Sequence, residues 1–208
     1  MVLFDPFIST IAESSKASGM DGFDRAGVEA KHTSIQGNSL CGVTVTWHAK
    51  VLLGECKLVG SRRHNLEVSL PDAKFVACMV ADSPEGCGLW VYHPTRVEAK
   101  DTIFRGSCQS GVYVGNKSSV FLDQCTVSGN KHTNVRAFSG VKVYLAGCTI
   151  ADSLEVSGCE VFGKGTCVEA RSSTFRGNSL YGVAAVEKAS ALQRVPQQVR
   201  GSRQPGIQ

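Results

Sequence analysis

A chain of 208 residues, 42% hydrophobic and 19% charged, is long enough to bury one sizeable core in one domain. Its formal charge is +4, but the basic end carries Arg194, Arg200 and Arg203 and no acid, so the body is close to neutral. A near-neutral body argues against an electrostatic nucleic-acid binder, and no apolar run is long enough to suggest a membrane span.

The first element is residues 1–27. Met1–Ile11 lacks a basic start, and Asp5-Pro6 interrupts its apolar run, so it does not read as a secretory signal. Asp5 is suited to cap a short helix with Pro6 at its first position. Phe7, Ile8 and Ile11 would then share one face, giving a helical lid for whatever follows. Residues 12–27, rich in Ser, Gly and Asp, read as a linker.

Residues 28–190 repeat. Thr33, Cys56, Cys78, Thr102, Cys125, Cys148 and Ser173 recur every 22 to 25 residues. Four residues after each stands Gly37, Gly60, Asp82, Gly106, Gly129, Asp152 or Gly177. Nine or ten residues after each stands Gly42, Asn65, Gly88, Gly111, Asn134, Gly158 or Gly182. Gly, Asn and Asp reach positive φ or make side-chain-bonded turns at low cost, so each unit bends at two fixed points at least. Gly111 is accordingly expected at positive φ. Between the bends apolar residues alternate, as in Val97/Ala99, Phe104 and Val112/Val114. A period of 2, with β-branched residues and many glycines, excludes helices. Three short strands per unit, stacked unit on unit, make an all-β right-handed parallel β-helix of about seven turns. The Thr/Cys/Ser series should then point inward as a ladder.

The unit Val120-Phe-Leu-Asp-Gln-Cys-Thr-Val-Ser-Gly-Asn130, followed by Asn134-Val135, resembles the right-handed parallel β-helix repeat family. Its style is closest to the F-box-type and Shc-binding β-helix proteins, which implies an intracellular adaptor. The same fold hosts lyases, hydrolases and epimerases, so the resemblance fixes architecture and not activity. Residues 191–208, rich in Gln, Arg, Pro and Gly, read as a basic disordered tail.

Nine cysteines without a Cys-x-x-Cys pair point to reduced thiols, most on inward repeat positions, and hence to an intracellular, cytoplasmic location. No metal or cofactor pattern is present, and neither is expected. On the third strand the outward positions bring Trp90, Tyr92, Tyr113, Arg136, Phe138 and Phe162 onto adjacent turns. Exposed aromatics with arginine favour a contact surface. Asp101 and Asp123 are the sole pair worth testing as an acid site. His32, His64 and His132 lie beside turns, where exposure is expected. The function expected is a non-enzymatic binding or scaffold module whose partner is another protein. The alternative is a carbohydrate-active or carbohydrate-binding β-helix whose partner is a polysaccharide.

Overall fold

The computed structural model describes residues 2–3, 9–15, 17–23, 27–47, 49–69 and 72–194. Its strands form three parallel sheets of 9, 8 and 8 strands, each joining every third strand of the chain. A representative coil runs Arg96–Lys100 in the first sheet, Ile103–Arg105 in the second and Val112–Val114 in the third. The next coil repeats this in register, Val97 beside Val120, Phe104 beside Val127 and Tyr113 beside Arg136. The result is an all-β solenoid of about eight coils.

The alternation expected from the sequence decides which side chains face in. Val97, Phe104, Val112 and Val114 are fully buried, and so are their equivalents along most of the axis. They form one continuous core from Met20 to Ala170. Burial of these stacked side chains removes apolar surface from water at roughly 25 cal/mol per Å², which offsets the entropy of ordering many short strands.

The start of the chain differs from expectation. No helix occurs among the described residues. Val2–Leu3 pairs with Val28–Glu29, Ser9–Ala12 with Thr33–Gln36, and Met20–Gly22 with Val43–Val45. These strands add a coil before the seven repeats, and Ile11 packs on the core from a strand. The physical reason is the edge: three unpaired strand edges in one plane take hydrogen bonds from another coil more completely than from a helix. Asp5, Pro6, Phe7 and Ile8 lie outside the described residues. At the other end Ser190–Arg194 pairs with Cys167–Arg171, and residues 195–208 lie outside the described residues.

The first bend is as expected. Gly37, Gly60, Asp82, Gly106, Gly129, Asp152 and Gly177 all have φ between 57° and 69°. The second bend is not: Gly111 is absent from the left-handed region. It is glycine because a Cβ would lie 2.5 Å from Asn130 Nδ2 and 2.6 Å from a Val127 methyl. The missing side chain makes room for the next coil's buried Asn130, whose Oδ1 accepts the Ser107 N–H at 3.0 Å. A Gly111→Asn change carries the same Cβ and therefore gains nothing over other residues.

A further left-handed bend lies immediately before the ladder, at His32, Glu55, Ala77, Asp101, Gln124, Gly147 and Ser172. Strain of about 1 kcal/mol at each such non-glycine residue is tolerated because neighbours bond the bend. The Asp101 N–H donates to Asp123 O at 3.0 Å, and Thr102 Oγ1 donates back to Lys100 O at 2.9 Å. Cys125 Sγ takes the same place, 3.3 Å from both Ala99 O and Asp123 O. The ladder residue is thus a small inward donor that satisfies a bend carbonyl, which explains why Thr, Cys and Ser interchange.

All nine cysteines are unpaired, and seven of them are buried; Cys108 and Cys167 are half-buried. Contact with Cys56, then burial, pushes the Cys78 thiol up, and contact with Cys148, then burial, does the same to Cys125. Alkylation of the native protein should therefore modify Cys108 and Cys167 far faster than the rest. Unfolding without reductant should release all nine. Recovery of fewer than half as free thiols would overturn the reduced ladder.

Candidate functional site

In the third sheet the outward side chains form an in-register column: Glu67, Trp90, Tyr113, Arg136 and Glu160. The parallel pairing spaces them by ~4.8 Å, close enough for successive side chains to touch. Trp90 and Tyr113 meet edge to face with centroids 6.1 Å apart. Tyr113 and Phe138 are 4.9 Å apart and tilted. Phe138 reaches Tyr113 because residue 115 is glycine; a Cβ there would lie 2.5 Å from the Phe138 ring. Tyr92 flanks Trp90 at 6.1 Å and is exposed. Arg136 lies over Phe162, 5.4 Å from the centroid, with its Nε 3.8 Å from Glu160. All six residues of the expected surface therefore form one continuous stripe.

The stripe opens into a groove of about 640 Å³. Its floor holds Trp90 and Tyr113; its walls are the second-bend loops of successive coils, with Leu40, Arg62, Arg63 and Glu85. Arg63 sits over the indole, 5.3 Å from the centroid. Arg62 pairs with Glu85 at 2.8 Å.

His64 is the main departure from expectation here. It is 5% exposed and packs 4.3 Å from Trp90, centroid to centroid. It belongs to a buried column, Cys41, His64, Cys87, Ser110 and Thr133, in which it is the one large side chain. Gly86 makes the space: a Cβ there would sit 1.5 Å from Arg63 O and 2.7 Å from His64 Nδ1. With the loops so close, the Cys87 N–H donates to His64 Nδ1 at 3.0 Å, so the neutral ring carries its proton on Nε2. His32 and His132, by contrast, are half-buried and exposed respectively, beside Glu55 and Glu155.

Burial first, and the Arg63 guanidinium second, push the His64 imidazole down from 6.5 to about 4. The unfolded chain binds this proton near pH 6.5 and the folded chain does not. Stability linked to His64 is therefore intact above pH 6.5 and lost as pH falls towards 4, by about 2–3 kcal/mol. His64→Asn keeps an acceptor for the Cys87 N–H and removes the titration. Urea melts between pH 7 and pH 4.5 should show a flatter loss for this variant; parallel curves would mean that His64 is protonated in the folded state. Burial also raises Tyr113, and desolvation lifts the Cys87 thiol to about 11. Neither group is set up as a nucleophile near neutral pH.

The acid pair Asp101 and Asp123 lies on adjacent coils beside Lys100, away from the stripe. The Asp101 N–H bonds Asp123 O, but the two side chains lie on the rim of the first sheet, Asp101 exposed and Asp123 3.9 Å from Lys100 Nζ. Glu98 and Glu169 on that face are held by Arg96 and Arg171 at 2.7 and 2.8 Å. The sequence reading missed a second aromatic feature there. Phe121 and Tyr144 stack with centroids 4.7 Å apart and planes 8° apart, and Arg96 covers Phe121. The signal was available, since both stand at outward positions next to Val120 and Val143. Among the described residues no group of three or more His, Cys, Asp or Glu side chains is placed to hold a metal ion. None forms a helix long and apolar enough to cross a membrane.

No curated protein and no solved structure matches the chain. The family described as right handed beta helix region matches residues 80–194, more than half of the sequence. The repeat, the three parallel sheets and this match agree, and the chain belongs to the right-handed β-helix family.

Proposed function

We propose that the protein is a non-enzymatic binding or scaffold module that engages another protein through the third-sheet stripe and its groove. The observation that carries this reading is the continuity of Trp90, Tyr113, Arg136 and Phe138 along three coils, beside an open groove. Aromatic and arginine side chains give large contact area at low entropic cost and dominate protein interfaces. The repeat's likeness to F-box-type and Shc-binding β-helices is in keeping with an adaptor, and the many buried unpaired thiols support an intracellular setting. Affinity capture from cell extract should recover a partner with the native chain and lose it with the Trp90→Ala/Tyr113→Ala variant. Equal recovery by both would remove the stripe from consideration.

A second reading, a carbohydrate-active β-helix, has one observation behind it: the flat Phe121–Tyr144 stack stands beside Glu98 and Asp123 on the first sheet. Cation partners on Glu98 and Asp123 argue against paired acid and base roles. A panel of plant and algal polysaccharides, with and without calcium, should show no turnover. Cleavage abolished by Asp123→Asn would replace the binding-module reading with this one.

A further inference from the structure

Resting on the reading of the stripe as a contact surface, we infer that the groove over Trp90 receives an extended acidic polypeptide segment, with its carboxylate or phosphate groups held by Arg63, Arg62 and Arg136. Charge is the first reason. Three guanidinium groups line the groove against the single lining carboxylate of Glu85; Arg62 engages Glu85 and Arg136 has Glu160 at 3.8 Å, which leaves Arg63 as the uncompensated charge. Arg63 lies over the Trp90 ring, and among the described residues no carboxylate sits within ion-pair distance of it. A guanidinium resting over an aromatic ring is attracted to its face and can still offer donors to an incoming anion.

Shape is the second reason. From Leu40 to Arg136 the groove crosses five coils. At ~4.8 Å per coil this is about 19 Å, the length of roughly six residues of extended chain at ~3.3 Å each. Exposed Leu40 adds an apolar contact on the rim.

The chemistry of stacking separates a peptide from a sugar. A saccharide needs an open aromatic face. Arg63 covers Trp90, and Tyr113 is tilted against Phe138 with planes at 56°. The groove therefore offers guanidinium forks and ring edges, which suit acidic side chains and a peptide backbone.

Fluorescence anisotropy on the full chain tests this with four labelled probes. They are a nine-residue alternating Glu/Ser peptide, the same peptide with a central phosphoserine, an alternating Gln/Ser peptide and a hexagalacturonate. The two acidic peptides should bind more tightly than the other probes, and more weakly as salt rises. Arg63→Ala should cost at least 10-fold in affinity and Arg63→Lys less, whereas Arg171→Ala on the first sheet should cost nothing. The difference between the two acidic peptides tells carboxylate from phosphate. Preference for the galacturonate, equal loss with Arg171→Ala, or no binding of either acidic peptide would overturn the inference. Equally tight, Trp90-dependent binding of the Gln/Ser peptide would overturn it while leaving the stripe as the contact surface. Cleavage of the galacturonate would overturn the binding-module reading itself.

Discussion

Gly86→Ala is expected to destabilise the protein by at least about 3 kcal/mol, more than ordinary overpacking, because the obstacle is backbone. The new Cβ would lie 1.5 Å from Arg63 O and 2.5 Å from its carbonyl carbon. Neither a rotamer change nor a side-chain shift relieves that contact; one loop must move off the other. The Cys87 N–H to His64 bond would open, and the Arg63–Trp90 arrangement would go with it. Loop length is not what demands glycine. The other coil with ten residues between its ladder position and second bend, Cys148 to Gly158, carries Val156 at the equivalent place. Val156→Ala is therefore the control and should cost about 1 kcal/mol, the loss of a half-buried side chain. Urea midpoints of the two variants measure the difference. A Gly86→Ala loss below that of Val156→Ala would show that the two loops do not meet as described.

Asn134→Ala is expected to cost about 3 kcal/mol or more. Asn134 is fully buried and joins three neighbours. Its Nδ2 donates to Ala151 O at 2.7 Å and to Asn178 Oδ1 at 3.1 Å, and its Oδ1 accepts from Asn130 Nδ2 at 2.8 Å. Alanine removes three buried bonds at about 1 kcal/mol each and leaves a cavity; the Ala151 carbonyl keeps only the Gly129 N–H at 3.2 Å, and Asn130 Nδ2 keeps only Phe104 O at 3.5 Å. Asn130 in turn holds the Ser107 N–H, and Asn178 holds the Ser153 N–H at 3.2 Å, so the damage reaches the coils on either side. Thermal unfolding checks this. A Tm within 2 °C of the native chain would mean that the amide network contributes little.

These two positions also show where the sequence is legible and where it is not. The period places the inward side chains of the strands, because in-register stacking makes each coil a copy of its neighbour. The column of Trp90, Tyr113 and Arg136 follows from the same rule. What the period hides is contact between unequal loops. Gly86 carries no sign in the sequence that Arg63 O lies above it, and His64 beside a turn looks exposed until Gly86 is seen to make its space. Asn134 and Gly111 share a repeat position for opposite reasons. One fills a cavity with hydrogen bonds, and the other leaves one open for Asn130. Bend chemistry alone therefore misassigns Gly111 to positive φ. The left-handed bend at Asp101 and its equivalents is invisible for the converse reason: its residue types are ordinary, and the strain is borne by bonds to the next coil. At the start of the chain, Asp5-Pro6 carries a helix signal, but the described residues on both sides of it pair as strands because the solenoid edge offers more hydrogen bonds.

Two aromatic faces compete for the role of working surface, and one measurement decides between them. Hydroxyl-radical footprinting, with and without the partner the chain retains from a cell extract, reads both at once. Protection of Trp90, Tyr92, Tyr113 and Phe138, with Phe121 and Tyr144 unchanged, is the predicted result. Protection of Phe121 and Tyr144 with the third-sheet stripe unchanged would contradict the account and move the site to the first sheet.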